Sequence, residues 1–414
     1  MMRPSAKLSL RRILAPALLT MLSLTGHALA QSPDAAGASP PARASFLDAL
    51  DWEASYTADG FGVLSGGLAR DAAYLDNISI LVDLDLEKAF GWRGGALHVQ
   101  GLSNLGGKPN SFAGTLEGID NIEVADARPK LFELWLEQRF AQDRIQLGIG
   151  FFDLNAAFYA NDSAGLFISP PFGIGSELAS TGPSGPSIFP STALGFSARA
   201  QINDSLYAQG AVVDASAGVL GDAGGYQASL DDGVLLIGEL GAQDETRGKI
   251  AVGFWGYSNK QPRLLVLEDE PETTPAQGVY LLAELKLNHP REEVRMLTAF
   301  ARIGASDADT TPFAGGAQAG LHLARPFANR TDSAFGIGVH YGAISSAARL
   351  LAAQDGLAPS RGEYGIEITY ADQLTPWLSI QPDVQILFNP GGDSEAPVAL
   401  VAGLRLTLAF AKGG

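Results

Sequence analysis

Alternate positions change character along most of this chain. In NISILVDLDLEK, Ile78, Ile80, Val82, Leu84 and Leu86 are apolar, while Ser79, Asp83, Asp85 and Glu87 intervene. In LFELWLEQRF, Phe132, Leu134, Leu136 and Phe140 fall on one face, and Glu133, Trp135, Glu137 and Arg139 on the other. RIQLGIGFF, VYLLAELKLN, LSIQPDVQILF and VALVAGLRLTLAF repeat the scheme. A period of two is the mark of a β-strand with one greasy face and one wet face. About sixteen such segments occur, near 52–69, 77–87, 95–104, 130–140, 143–152, 193–202, 205–215, 233–242, 247–258, 277–288, 293–305, 315–325, 333–344, 363–373, 378–388 and 398–410. Alternation is weakest in the first and the eighth. No helical periodicity competes over a comparable length.

The connections sort into two kinds. Ala141-Gln142, Asn203-Asp204, Asp244–Thr246 and His289–Glu292 are tight turns at every second connection. Between them lie long segments: 105–129, 153–192, 216–232, 259–276 and 345–362. Long loops on one rim, short turns on the other and an even strand count describe a bacterial outer-membrane barrel, with both chain ends on the periplasmic, short-turn rim. A soluble β-sandwich also alternates, burying its apolar faces against each other. Two features favour the all-β transmembrane antiparallel barrel. Charges of both signs crowd the polar faces, as in a wet lumen. Aromatic residues gather at strand ends: Phe90, Phe140, Trp377 and Phe410 beside the short turns, and Phe151, Phe152, Trp255 and Phe388 beside the long loops, as interfacial girdles require. Sixteen strands leave an aqueous channel, whereas eight are filled by side chains. The pattern predicts a pore.

Composition narrows the partners. Arg3, Lys7, Arg11 and Arg12 precede the apolar run Ile13–Leu24, and Ala28-Leu29-Ala30 offers a cleavage site before Gln31. Residues 1–30 thus form a secretory signal, since a run of twelve is too short to span a bilayer. Residues 31–45, rich in Pro, Ala, Ser and Gly, form a flexible leader; 46–410 is the barrel and 411–414 a C-terminal tail. Without the four basic residues of the signal, 24 basic residues face 45 acidic ones, a net charge of −21. So acidic a surface repels nucleic acid. With no cysteine in the chain, disulfides, thiolate metal sites and cysteine nucleophiles are excluded. DADTTPFAGG at 307–316 lacks the glycine and closing glutamate of a calcium loop, and no histidine pair has metal-ligand spacing. No nucleotide-binding or nucleophile-elbow motif occurs, so neither a metal, a cofactor nor catalysis is expected.

The third long loop is unlike the rest. Asn161–Pro190 reads NDSAGLFISPPFGIGSELASTGPSGPSIFP, with five prolines, five glycines and two charges, Asp162 and Glu177. Leu166, Phe167, Ile168, Phe172, Ile174, Ile188 and Phe189 give it apolar anchors. A stiffened, greasy loop suits folding inward to narrow a lumen; a compact surface loop packed on itself fits equally well. Lumen-side charges by parity are Glu133, Glu137 and Arg139 beside Trp135, with Arg144 facing them from the next strand, then Arg199, Glu284, Lys286, Glu367 and Arg405. Each could touch a passing solute or form an ion pair that stiffens the wall.

The run LFELWLEQRF…RIQLGIGFFDLNAAFYANDSAGLFISPPFGIGSELASTGPSGPSIFPSTALGF resembles the carbohydrate-selective porin (OprB) family in pattern. AYLDNISILVDLDLEKAFGWRGGALHVQGLSNLGGKP and LTPWLSIQPDVQILFNPGG are similar to it as well, so the likeness spans residue 52 to Phe410. The resemblance implies a sixteen-stranded outer-membrane barrel passing monosaccharides such as glucose and other small polar solutes, with inward loops forming a charged constriction. It favours the inward reading of Asn161–Pro190. It also implies outer-membrane lipid and the barrel-assembly machinery as partners, and leaves monomer and homo-oligomer both open. Two departures stand out: Ala411–Gly414 follow the terminal aromatic Phe410, and the chain is acidic where family eyelets are rich in arginine. A general-diffusion porin with cation preference remains the alternative, and an outer-membrane β-rich hydrolase the alternative from another class.

Overall fold

The computed structural model describes residues 46–267, 270–288 and 295–412. The signal segment, the leader, the His289–Glu292 turn and Gly413-Gly414 lie outside them. Sixteen strands alternate up and down: β1 (Leu50–Ser65), β2 (Ala72–Asp85), β3 (Gly95–Gly106), β4 (Pro129–Phe140), β5 (Ile145–Phe152), β6 (Ala193–Gln201), β7 (Leu206–Asp214) and β8 (Val234–Asp244). The second half runs β9 (Gly248–Tyr257), β10 (Gln277–Lys286), β11 (Met296–Ser306), β12 (Phe313–Ala324), β13 (Ser333–Ile344), β14 (Gly362–Thr375), β15 (Leu378–Phe388) and β16 (Ala399–Ala411). Each pairs with its sequence neighbours, and β1 closes on β16 from Glu53↔Ala411 to Ser65↔Leu400. Closure leaves no edge of unpaired N–H and C=O groups, the condition for a sheet to sit in lipid.

Alternation survives as two faces. Ile80, Ile149, Phe254, Val279 and Ile303 are each more than half exposed, forming the outer apolar band. Asp59, Gln318, Glu367 and Gln385, on the opposite parity of their strands, face inward and are buried. A polar residue buried by the lumen and an apolar one exposed outside invert the soluble arrangement; they match a barrel whose solvent outside is lipid.

Phe90, Phe140, Trp377 and Phe410 are exposed beside the short-turn rim, and Phe388 beside the long-loop rim. The other three girdle candidates behave differently. Trp255 shares the inward parity of Lys249 and Ala251, and with Phe152 it packs among Tyr280, Leu282 and Ile237. Phe151 faces outward but is covered by Tyr226, ring centroids 5.0 Å apart. Phe132 also departs from simple parity. A bulge opposite Gln100/Gly101 shifts the β3–β4 register there, and Phe132 turns against Leu102 and Phe189, fully buried. An extra residue in one strand re-aims its side chains in this way.

Candidate functional site

Two long loops enter the lumen. Residues 153–192 join β5 to β6 through four short helical turns, Leu154–Ala156, Ser163–Leu166, Pro170–Phe172 and Ser176–Ala179. Asp153 starts the first by accepting from the Asn155 N–H at 2.7 Å, and Pro170 opens the third, where a missing N–H costs nothing. Phe167 and Phe172 stack at 4.4 Å and meet the edge of Phe300 on β11. Their rings lie where Gly336 and Gly338 of β13 have no side chain; a Cβ there would come within 2.9 and 2.6 Å of them. Farther on, Ile174, Leu178 and Ile188 cover the inward residues Leu235, Ile237, Trp255 and Leu282 of β8–β10. The second loop, residues 107–128, lays Ala113 and Ile119 over Phe61, Val63, Leu387 and Val401, joined by Ile168.

Wall carboxylates fasten these loops by their backbone. Glu367 accepts from the N–H of Ile168 at 2.6 Å and of Ser169 at 2.8 Å. Glu284 accepts the N–H and hydroxyl of Ser163 at 2.9 and 2.7 Å. Glu133 accepts from the Asp153 N–H at 3.0 Å. Glu239 accepts from the Tyr159 N–H at 3.2 Å and the hydroxyls of Tyr207 and Tyr280 at 2.7 and 2.8 Å. Glu363 takes the N–H groups of Leu116, Glu117 and Gly391 at 2.8 to 3.0 Å. Arg302 works in the opposite sense, donating to the carbonyls of Tyr159 at 3.1 Å, Gly173 at 2.7 Å and Pro171. A buried charge is tolerable only when fully hydrogen-bonded, and each such charge-assisted bond contributes about 1.5–3 kcal/mol. The inner wall is therefore a clamp.

Glu133, Glu284 and Glu367 thus lie against loop backbone. Arg405 forks onto Asp59 at 2.6 to 3.0 Å and reaches Asn121 at 2.7 Å. Glu137 pairs with Arg139, whose side chain is 43% exposed, and Trp135 stacks on His98 at 4.0 Å. Arg144 sits in an exposed turn 3.8 Å from Asp204, away from the loops. Asn161 donates to the Ala283 carbonyl at 3.1 Å, and the exposed Asp162 follows it. Arg199 lies 3.9 Å over the Tyr207 ring and donates to Gln209 at 2.6 Å. Half-buried Lys286 donates to the Glu245 carbonyl. Phe189 meets Phe132 edge-on at 6.0 Å.

Glu177 is fully buried, with one oxygen accepting from the Tyr159 hydroxyl at 2.8 Å and the other unpartnered. It lies on Gly304, where a Cβ would stand 1.8 Å from its Oε1. Burial pushes its carboxyl up to about 7. Beside it Glu117 holds His340 at 2.8 Å and accepts from Ser176, tying one loop to the other.

Glu239, Glu363, Arg302 and the Asp59–Asn121 contacts of Arg405 were not singled out by parity. Asp59, Glu239 and Arg302 are each a lone charge beside apolar or glycine residues on an inner strand face, a signal that was available. The partners, being loop amides, were not.

The match to the model of the carbohydrate-selective porin, OprB family, covers residues 69–410. The chain belongs to that family. It is 24% identical to Porin B of Pseudomonas aeruginosa over 401 residues, 87% of each chain. The high-pH structure of Pseudomonas putida OprB superposes with a TM-score of 0.77 at 21% identity, covering 88% of this chain and 95% of that one. The low-pH structure of the same protein gives 0.56 at 17% identity, covering 88% and 94%. A carbohydrate-selective porin of the outer membrane lets sugars diffuse passively, and this barrel is one.

Proposed function

We propose that the barrel admits monosaccharides such as glucose to the periplasm, and that Arg199, Lys249, Lys286 and Asp162 make the transient contacts. What supports this is the division of labour among lumen charges. Glu133, Glu239, Glu284, Glu363, Glu367, Arg302 and Arg405 are spent on loops or on each other, so they have little left for a solute. Arg199, Lys249 and Lys286 remain partly exposed beside the loop tip; Lys249 reaches the Ala160 carbonyl at 3.2 Å, with 22% of its side chain exposed. Charged donors suit vicinal hydroxyls, binding weakly enough to release. No bond in the solute is broken, so no catalyst is needed. Residues 1–30 as a signal and recognition by the barrel-assembly machinery fit this location.

Single-channel conductance with and without glucose tests the reading. Partial, concentration-dependent block is expected from the wild type; unblocked current with marked cation preference would favour a general-diffusion pore, which the net −21 charge otherwise suits.

A further inference from the structure

We propose that the outer-leaflet end of β13–β15 binds the phosphate of a membrane lipid between Arg349 and Arg361. Tyr341, Tyr364 and Phe388 stand side by side on the outward face, in register across the three strands. The tyrosine rings stack at 4.7 Å. Tyr364 and Phe388 are 42% and 36% exposed, leaving a flat aromatic surface at the rim. Aromatic residues at this depth sit at the lipid headgroup level.

Directly above, Ser345 caps the helix Ser346–Gln354, its hydroxyl accepting from the Ala348 N–H at 3.2 Å. The helix exposes Leu350 and carries Arg349, whose guanidinium donates to Ser346 Oγ at 3.0 Å while its Nε stays buried and unpartnered. The chain returns through the exposed Arg361, whose carbonyl accepts from the Tyr341 hydroxyl at 3.3 Å. The Ile344 N–H donates to that same carbonyl at 3.0 Å, so Arg361 pairs with the strand end just before the helix that carries Arg349, and both arginines stand at the rim end of the aromatic row. Three other cations of this rim are neutralised: Arg128 by Asp126, Lys130 by Asp222, Arg263 by Asp309. Among the described residues, Arg349 and Arg361 have no carboxylate partner.

Two guanidinium groups without a counter-ion, above an aromatic shelf in lipid, match a phosphorylated headgroup with its chains laid along the rings. The planar fork binds phosphate oxygens in pairs. In so acidic a protein, unpaired arginines gathered at one place mark local anion affinity. A free phosphate would gain the charge contacts alone and forgo the aromatic shelf.

The test uses detergent-purified barrel, native mass spectrometry and two probes with identical acyl chains, phosphatidic acid and diacylglycerol. The wild type is expected to retain phosphatidic acid about tenfold more than diacylglycerol, the ratio that about 1.4 kcal/mol supports. Excess inorganic phosphate should not displace it. R349A/R361A should abolish the preference, R349K/R361K should keep part of it, and K260A, at an exposed cation of the same rim, should leave it intact. Circular dichroism and heat-modified gel mobility report that each variant is folded. Equal retention of the two probes, an unaffected double alanine variant, displacement by inorganic phosphate, or a dimer covering Tyr364 would each overturn the proposal.

Discussion

The inner face of the barrel has two unlike halves. Toward the long loops, β1 presents Phe61 and Val63, β8 presents Leu235 and Ile237, and β9 presents Trp255, all buried beneath inserted loop. Toward the short turns, the same faces carry Thr57, Gln243 and Lys249. One strand thus meets two environments on one side, and the boundary is where Glu239, Glu284, Glu367, Arg302 and Arg405 sit. The lesson is that charge on this wall is first a means of fixing the inserted loops.

Breaking the clamp should have the largest consequence. Arg302→Ala orphans three loop carbonyls and uncovers Gln318, and should cost on the order of 3–5 kcal/mol in detergent unfolding, with single-channel conductance rising as the loop loosens. Unchanged conductance would mean the loop is held elsewhere.

Gly304→Val attacks the same boundary by volume. Its side chain enters space held by Glu177 and the Tyr159 hydroxyl, so about 1–3 kcal/mol of overpacking strain is expected. The unfolding midpoint should fall while strand content by circular dichroism stays the same.

Glu177 sharpens the comparison through pH. Its folded value of about 7 exceeds the ordinary 4.5, so between those values the native protein binds more protons than the unfolded chain. Stability must then fall as pH rises from 4.5 to 7 and level off above. Glu177→Gln removes that dependence and should be the more stable protein at pH 8, by about 1–3 kcal/mol. Parallel pH profiles for the two proteins would refute the burial argument.

Arg199→Ala, on the open half, should be the mildest in stability, within about 1 kcal/mol, yet shift reversal potentials toward cations. Unchanged potentials would remove Arg199 from the solute path.

Much of this was legible in the sequence. Sixteen strands and their two rims follow from period-two alternation and loop length, because lipid outside and water inside enforce both. The weak alternation of the first and eighth segments has a physical cause: Phe61, Val63, Leu235 and Ile237 face inward but are covered, so the wet face there is greasy. Trp255 and Phe152 sit at strand ends as girdle residues do, and only parity could place them inside. Phe132 escaped parity too, since a bulge leaves no local mark. The role of Glu367 or Glu284 was beyond reach, because a carboxylate that will accept from an amide more than a hundred residues away looks like any other lumen charge.

Amide hydrogen exchange across residues 161–173 decides whether the wall holds the loop. Ser163, Ile168 and Ser169 should exchange as slowly as strand amides in the wild type, and at least tenfold faster at Ile168 and Ser169 in Glu367→Ala. Exchange at the pace of a solvent-exposed loop in the wild type would contradict the account.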